Sequence, residues 1–214
     1  MTRLIILLCS VGLAASTMAA GQKPASRTFD EDGAGAAPEG FTFAATRQQA
    51  SGTWIVRSEG SGHILVHPAD MPPQRGFALA VLGAIDEEDL TVSVRLKLAA
   101  GDRSAGLVWR YQDPDNYYVA RLNLDRQYLA VYRVVDGNVV RFAAEDDLEL
   151  DPDAWYTLKV THEGPRLRVY LGGIRVLDRR DRTFRRGGVG LWSTSGSTAW
   201  FDDLRVERSE SRRR

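Results

Sequence analysis

From Thr53 onward the sequence never sustains a helical period. It reads as short β-favouring runs, TWIVRS, HILVH, FALAVLG, DLTVSVRLKLA, AGLVWRY, NYYVARLNL, QYLAVYRV and NVVRFAA, and then AWYTLKVTHE, RLRVYLGG, IRVLDR, GVGLWST and TAWFDDLRVER, divided by Gly, Asp, Pro and Asn. About a dozen strands with turn signals between them predict an all-β fold, a two-sheet antiparallel β-sandwich or jelly roll.

Alternation names the buried faces. Val92, Val94, Leu96 and Leu98 share one side of a strand, as do Tyr118, Ala120, Leu122 and Leu124, Leu158 with Val160, and Leu167 with Val169 and Leu171. VDGN at 135–138 and LGG at 171–173 supply the positive-φ residues of tight hairpins. In WFDDLRV the parity breaks, because Phe201 belongs to one alternation and Leu204 and Val206 to the other. Burying all three requires an extra residue near Asp202 and Asp203.

The first 20 residues run from a basic start, Met1-Thr2-Arg3, through the apolar stretch Leu4–Ala15 to the small residues STMAA, the pattern of a secretory signal peptide. The expected product is exported, periplasmic or extracellular, and no second apolar run predicts stable membrane insertion. Leu8 before Cys9 departs from the small residue that lipidation wants. Cys9 is the only cysteine, so the exported protein has no disulfide and must be held by its core. A flexible leader is expected at 21–40, one domain at 41–207 and a basic tail at 208–214. The 28 basic and 28 acidic residues cancel, which gives no field for nucleic acid.

The runs AGLVWRYQDPDNYYVARLN, VYRVVDG, WYTLKVTHEGPRLRVYLGG and GGVGLWSTSGSTAWFDDLRV resemble the concanavalin A-like, laminin-G-like jelly roll. More narrowly they resemble bacterial secreted proteins with the 3-keto-disaccharide hydrolase domain. The resemblance covers roughly residues 40–207. It implies two stacked antiparallel sheets with glycan across the concave face or at the loop rim, and enzymes of the family act on oxidised glycosides. No catalytic set of that family is matched onto this chain.

Placing Tyr118, Ala120, Leu122 and Leu124 in the core turns Tyr117, Val119, Arg121 and Asn123 away from it. In the preceding strand a charged Arg110 is cheaper outside than inside. Arg110, Tyr117, Arg121, Asn123 and Arg133 thus form the candidate carbohydrate-binding group: a tyrosine ring for a sugar's C–H face, and guanidinium and carboxamide forks for its hydroxyls. Cross-strand pairing on a solvated sheet is the alternative reading of the same residues.

Other clusters carry weaker chemistry. Glu145, Asp147 and Glu149 have the spacing of a strand-borne glycosidase motif, but Asp146 between them and LDPDAW after them read as an exposed acidic connection. His63 and His67 lie roughly 13 Å apart along a strand, too far for one metal, though either is a candidate acid or base. His162 ends a strand and is expected in solvent. Asp113, Asp115 and Asn116 offer oxygens to calcium or simply build a turn. Asp202 and Asp203 are the stronger candidate calcium ligands, since a bulged acidic pair needs a cation, an arginine or backbone donors. No phosphate loop, nucleophile elbow or triad is present. The expected partner is a carbohydrate or glycoside, bound by a secreted sandwich module. The alternatives are a glycoside-cleaving enzyme of the 3-keto-disaccharide type, with an acid or base drawn from His63, His67 or a rim carboxylate, and a structural or partner-binding module.

Overall fold

The computed structural model describes residues 25–48, 52–69, 76–152 and 154–209. The expected signal peptide and most of the basic tail lie outside the described residues.

Two antiparallel sheets form the sandwich. In spatial order the first holds β13 (Ile174–Arg180), β12 (Arg166–Leu171), β11 (Tyr156–Glu163), β6 (Leu90–Gly101), β15 (Ser197–Arg208), β4 (Gly62–His67) and β3 (Ile55–Glu59). The second holds β10 (Asn138–Glu145), β9 (Tyr128–Val135), β8 (Asn116–Asn123), β7 (Ser104–Asp113), β14 (Gly187–Thr194), β5 (Phe77–Glu87) and β2 (Phe41–Ala45). β1 (Ala25–Arg27) pairs with the last part of β15, beyond the stretch of that strand that β4 covers.

The alternation seen in the sequence is the core. Val92, Val94, Leu96 and Leu98 of β6 and Leu158 and Val160 of β11 meet Leu107 and Trp109 of β7, Tyr118, Ala120 and Leu122 of β8, and Leu129 and Val131 of β9. Each fully buried Leu or Val contributes about 1.5–3 kcal/mol. The hairpins close where expected, with Asp136 and Gly137 at φ 49° and 71°, and Gly172 and Gly173 at 57° and 85°.

The parity break in β15 is a bulge. Asp202 pairs with Arg95 and Arg205 with Ser93, so three steps on β15 face two on β6, and Asp203 takes φ 50°. Phe201, Leu204 and Val206 are consequently all buried.

Part of the expected leader belongs to the sandwich: β1 is paired, Phe29 enters the core, and Arg27 bridges Asp32 at 2.7 Å. A flexible 21–40 is thus corrected for residues 25–40. The outer face of the second sheet is also not the solvated wall that alternation alone allows. Leu79, Val81, Val108, Tyr117, Val119, Val134 and Trp192 form a second apolar cluster there.

Candidate functional site

The structure divides the five expected sugar-binding residues between opposite ends of the sandwich. Arg121 and Asn123 stay on the outer face of the second sheet, near the turns at 101–103 and 124–127. Ser104, which pairs with Asn123, is six residues from Arg110 along β7, roughly 20 Å.

Arg121 owes its position to a glycine. Gly106 on β7 stands in register between Arg121 on β8 and Trp192 on β14. A Cβ at Gly106 would lie 1.9 Å from the Ala120 carbonyl oxygen, so the strands approach too closely there for any side chain. Across that gap the Arg121 guanidinium reaches to 5.4 Å from the Trp192 ring centre, and it lies 5.8 Å from Tyr128 and 6.0 Å from Tyr132. Its Nε donates to the Ser104 hydroxyl.

Arg121, Asn123, Tyr128 and Tyr132 line a cavity of about 520 Å³, with Asp102, Asp125 and Arg126 completing it. The Tyr128 and Tyr132 hydroxyls are 3.3 Å apart. Burial, and then the Tyr128 hydroxyl, push the Tyr132 phenol above its ordinary range, so it is a neutral donor and acceptor. The Asn123 side-chain oxygen accepts from the Arg126 backbone N–H at 2.8 Å, capping the turn. Two carboxylates, Asp102 and Asp125, and two guanidinium groups, Arg121 and Arg126, share the lining, and Arg103 bridges Asp125.

Three of the expected residues require correction. Tyr117 keeps the predicted parity but has no exposure at all, and its hydroxyl is 2.7 Å from that of Thr46. It packs in the outer apolar cluster instead of offering a ring to a ligand. Arg110 is turned inward: β7 carries an extra residue against β14 between Trp109 and Tyr111, and Arg110 takes φ 47°. The bulge cancels the alternation, and the guanidinium, 1% exposed, donates to the carbonyls of Glu88, Gly164 and Phe184 at 2.7–3.2 Å. Arg133 pairs with Tyr118, faces inward with it, and bridges Asp181 at 2.7 Å.

His162 is likewise buried, not solvated, because it continues the inward alternation of Leu158 and Val160. Trp109 Nε1 donates to its Nδ1 at 3.0 Å, and Arg110 Nη1 stands 3.1 Å from its Nε2. With Tyr118, whose hydroxyl donates to Asp181, these residues close one end of the core.

The remaining candidates are engaged elsewhere. Asp113 accepts from the backbone of Asp115 and the amide of Asn116, and Asp115 accepts from Arg47 N–H, which is turn building. Glu145, Asp147 and Glu149 are exposed. His63 and His67 sit on β4 in the first sheet, and His67 is fully buried with its ring 4.9 Å from Trp54. Arg95 lies 3.3 Å from Asp202 and 3.5 Å from Asp203, and the Asp203 N–H donates to Asp202 at 2.7 Å. Of the three ways to compensate the bulged pair, the structure uses arginine and backbone. Two carboxylates already sharing a guanidinium do not match the six to eight oxygens that calcium takes.

No family model matches the chain. Over 132 residues it is 26% identical to a levanase of Bacillus subtilis strain 168, a match covering 59% of this chain and 19% of that protein. Among solved structures, it is similar to the carbohydrate-binding module CBM66 of Bacillus subtilis, at TM-score 0.62 and 22% identity, covering 77% of this chain and 94% of that one. It is also similar to the exoplasmic domain of VIP36 in its Ca2+- and mannose-bound form, at TM-score 0.62 and 13% identity, covering 88% and 90%. These likenesses show the galectin- and concanavalin-like sandwich.

Proposed function

We propose that the domain is a carbohydrate-binding module and that the cavity of Arg121, Asn123, Tyr128 and Tyr132 receives a neutral sugar. The observation that carries this reading is the lining itself. Asp102 and Asp125, the latter bridged by Arg103, stand among Arg121 and Arg126, so the site offers many hydrogen-bonding forks of both signs, while two tyrosines supply ring edges and hydroxyls. A polyhydroxylated neutral ligand uses such a surface in full; an apolar or strongly charged one does not. The levanase match and the CBM66 and VIP36 likenesses support the same class. Export through the N-terminal signal belongs to this proposal, since a module of this kind meets polysaccharide outside the cell.

Cleavage of oxidised glycosides is the alternative reading of the same cavity. His63 and His67 stand on β4 and do not line it, so an acid or base would have to come from its carboxylates, Asp102 and Asp125. A glycan array followed by calorimetric titration tests the proposal. Binding of a neutral oligosaccharide should weaken several-fold in Tyr132→Ala and in Arg121→Ala. Equal affinity in wild type and both variants would remove this cavity as the site. Incubating each hit, oxidised disaccharides included, reads turnover in the same samples.

A further inference from the structure

A second cavity, about 490 Å³, opens at the other end of the sandwich, and its lining differs in kind. Arg110, Arg182 and Arg185 contribute three guanidinium groups against the single carboxylate of Glu88, with Pro165 and Phe184 as an apolar wall. The sequence concentrates charge there: 179–186 reads RRDRTFRR, five arginines in eight residues of a chain whose net charge is zero. The one acid of that run, Asp181, is committed to Tyr118 and Arg133.

The three arginines are in different states. Arg110 is fixed by backbone carbonyls and, among the described residues, makes no ion pair, so its charge is held at the cavity floor without a direct counter-ion. Burial lowers its pKa, a sign that water does not solvate it freely. Arg182 is exposed and, among the described residues, has neither a hydrogen bond nor an ion pair. Arg185 meets Glu88 at 3.3 Å with both side chains largely in solvent, a contact of little strength. A rigid positive floor, a free fork above it and an apolar wall beside it are the complement of a small ring that bears a carboxylate.

We propose that this cavity is a second glycan site that takes an acidic sugar residue. The uronate carboxylate meets Arg182 and Arg185, and the pyranose ring lies against Phe184 and Pro165. Arg110 contributes as a positioning residue, through its charge and by holding the loops of Glu88, Gly164 and Phe184 together. The site is separate from the neutral cavity, and neither proposal depends on the other.

The test is titration of the full-length protein with trigalacturonate, with the neutral trigalactoside and sodium acetate as companion probes, at low and high salt. Trigalacturonate should bind, lose affinity as salt rises, and lose about tenfold or more in Arg182→Gln, as expected for a charge-assisted fork. Arg182 is exposed, so R182Q should melt like the wild type. Amide shifts should move at 163, 164, 166 and 181–186. Acetate should bind far more weakly, because it lacks the ring. Any of four results would overturn the proposal: no binding of trigalacturonate, equal binding by wild type and R182Q, trigalactoside matching trigalacturonate at this cavity, or acetate matching it. Loss of trigalacturonate in Arg121→Ala but not in R182Q would place the acid in the neutral cavity and equally defeat it.

Discussion

The indole N–H of Trp109 donates to Nδ1 of His162 across 3.0 Å inside the core, and the guanidinium of Arg110 stands 3.1 Å from the other ring nitrogen. A second proton on this imidazole would have to sit on Nδ1, where it would face the Trp109 N–H. Burial, and then the charge of Arg110, bring its pKa down from 6.5 to about 3. The folded state therefore binds fewer protons than the unfolded one between these values. The stability from neutral His162 is complete above pH 6.5 and is lost as pH falls toward 3, at up to about 1.4 kcal/mol per pH unit. Denaturant melts between pH 7.5 and 5 should show the gap between wild type and His162→Gln narrowing with that slope. A constant gap would show that the ring accepts a proton in the folded protein.

Tyr117 distinguishes a ligand-facing ring from a packed one. With the side chain fully buried, Tyr117→Ala should cost about 3–5 kcal/mol, comparable to the roughly 2–5 kcal/mol of Leu122→Ala in the main core. Tyr117→Phe removes the hydroxyl that bonds Thr46 and should cost about 1 kcal/mol. A Tyr117→Ala variant that melts with the wild type but loses sugar would return the ring to the binding surface.

Gly106→Ala is expected to be worse than its one added methyl implies. The new Cβ meets a backbone carbonyl of β8, which cannot rotate away, so strands must part at a cost of about 1–3 kcal/mol or more. The same parting withdraws Arg121 from Trp192, so sugar affinity should fall together with the melting temperature. Thermal melts and titration on one preparation check both.

At the β15 bulge, Arg95 supplies one of the three compensations expected for the acidic pair. A chelator should leave the melting temperature unchanged. Arg95→Ala should lower it, because Asp202, whose pKa burial already raises, would keep only the Asp203 N–H, while Asp203 keeps Arg205. A melt that drops with chelator and recovers with calcium would reverse this assignment.

The sandwich was legible because alternation is a local property that burial enforces. The β15 bulge was legible for the same reason: Phe201, Leu204 and Val206 cannot share a face without it. Arg110 misled because a single positive-φ residue reverses parity, and nothing in WRYQD announces that φ. Arg133 followed its alternation, but its partner Asp181 lies on the connection between β13 and β14, 48 residues away. His162 was misjudged in the other direction, since the rhythm of Leu158 and Val160 already pointed it inward and only its polarity argued for solvent. Gly106 is silent in the sequence because an absent side chain shows its use only in register with Arg121 and Trp192. The arginine-rich run at 179–186 was visible throughout, yet its meaning required knowing that it borders a cavity.

Pairing of β1 with the end of β15 sets Ala25 opposite Val206, about 5 Å away, and the Ser209 N–H reaches the Asp89 carbonyl at 3.0 Å. The chain thus enters and leaves the sandwich at one corner, at the end of the arginine-lined cavity and away from the turns that flank Arg121. A surface, a carrier protein or a bead attached next to Ala25 or Ser209 would hold the domain by that corner. Such a tether leaves the neutral cavity at the free end, where a long polymer chain can reach it unhindered.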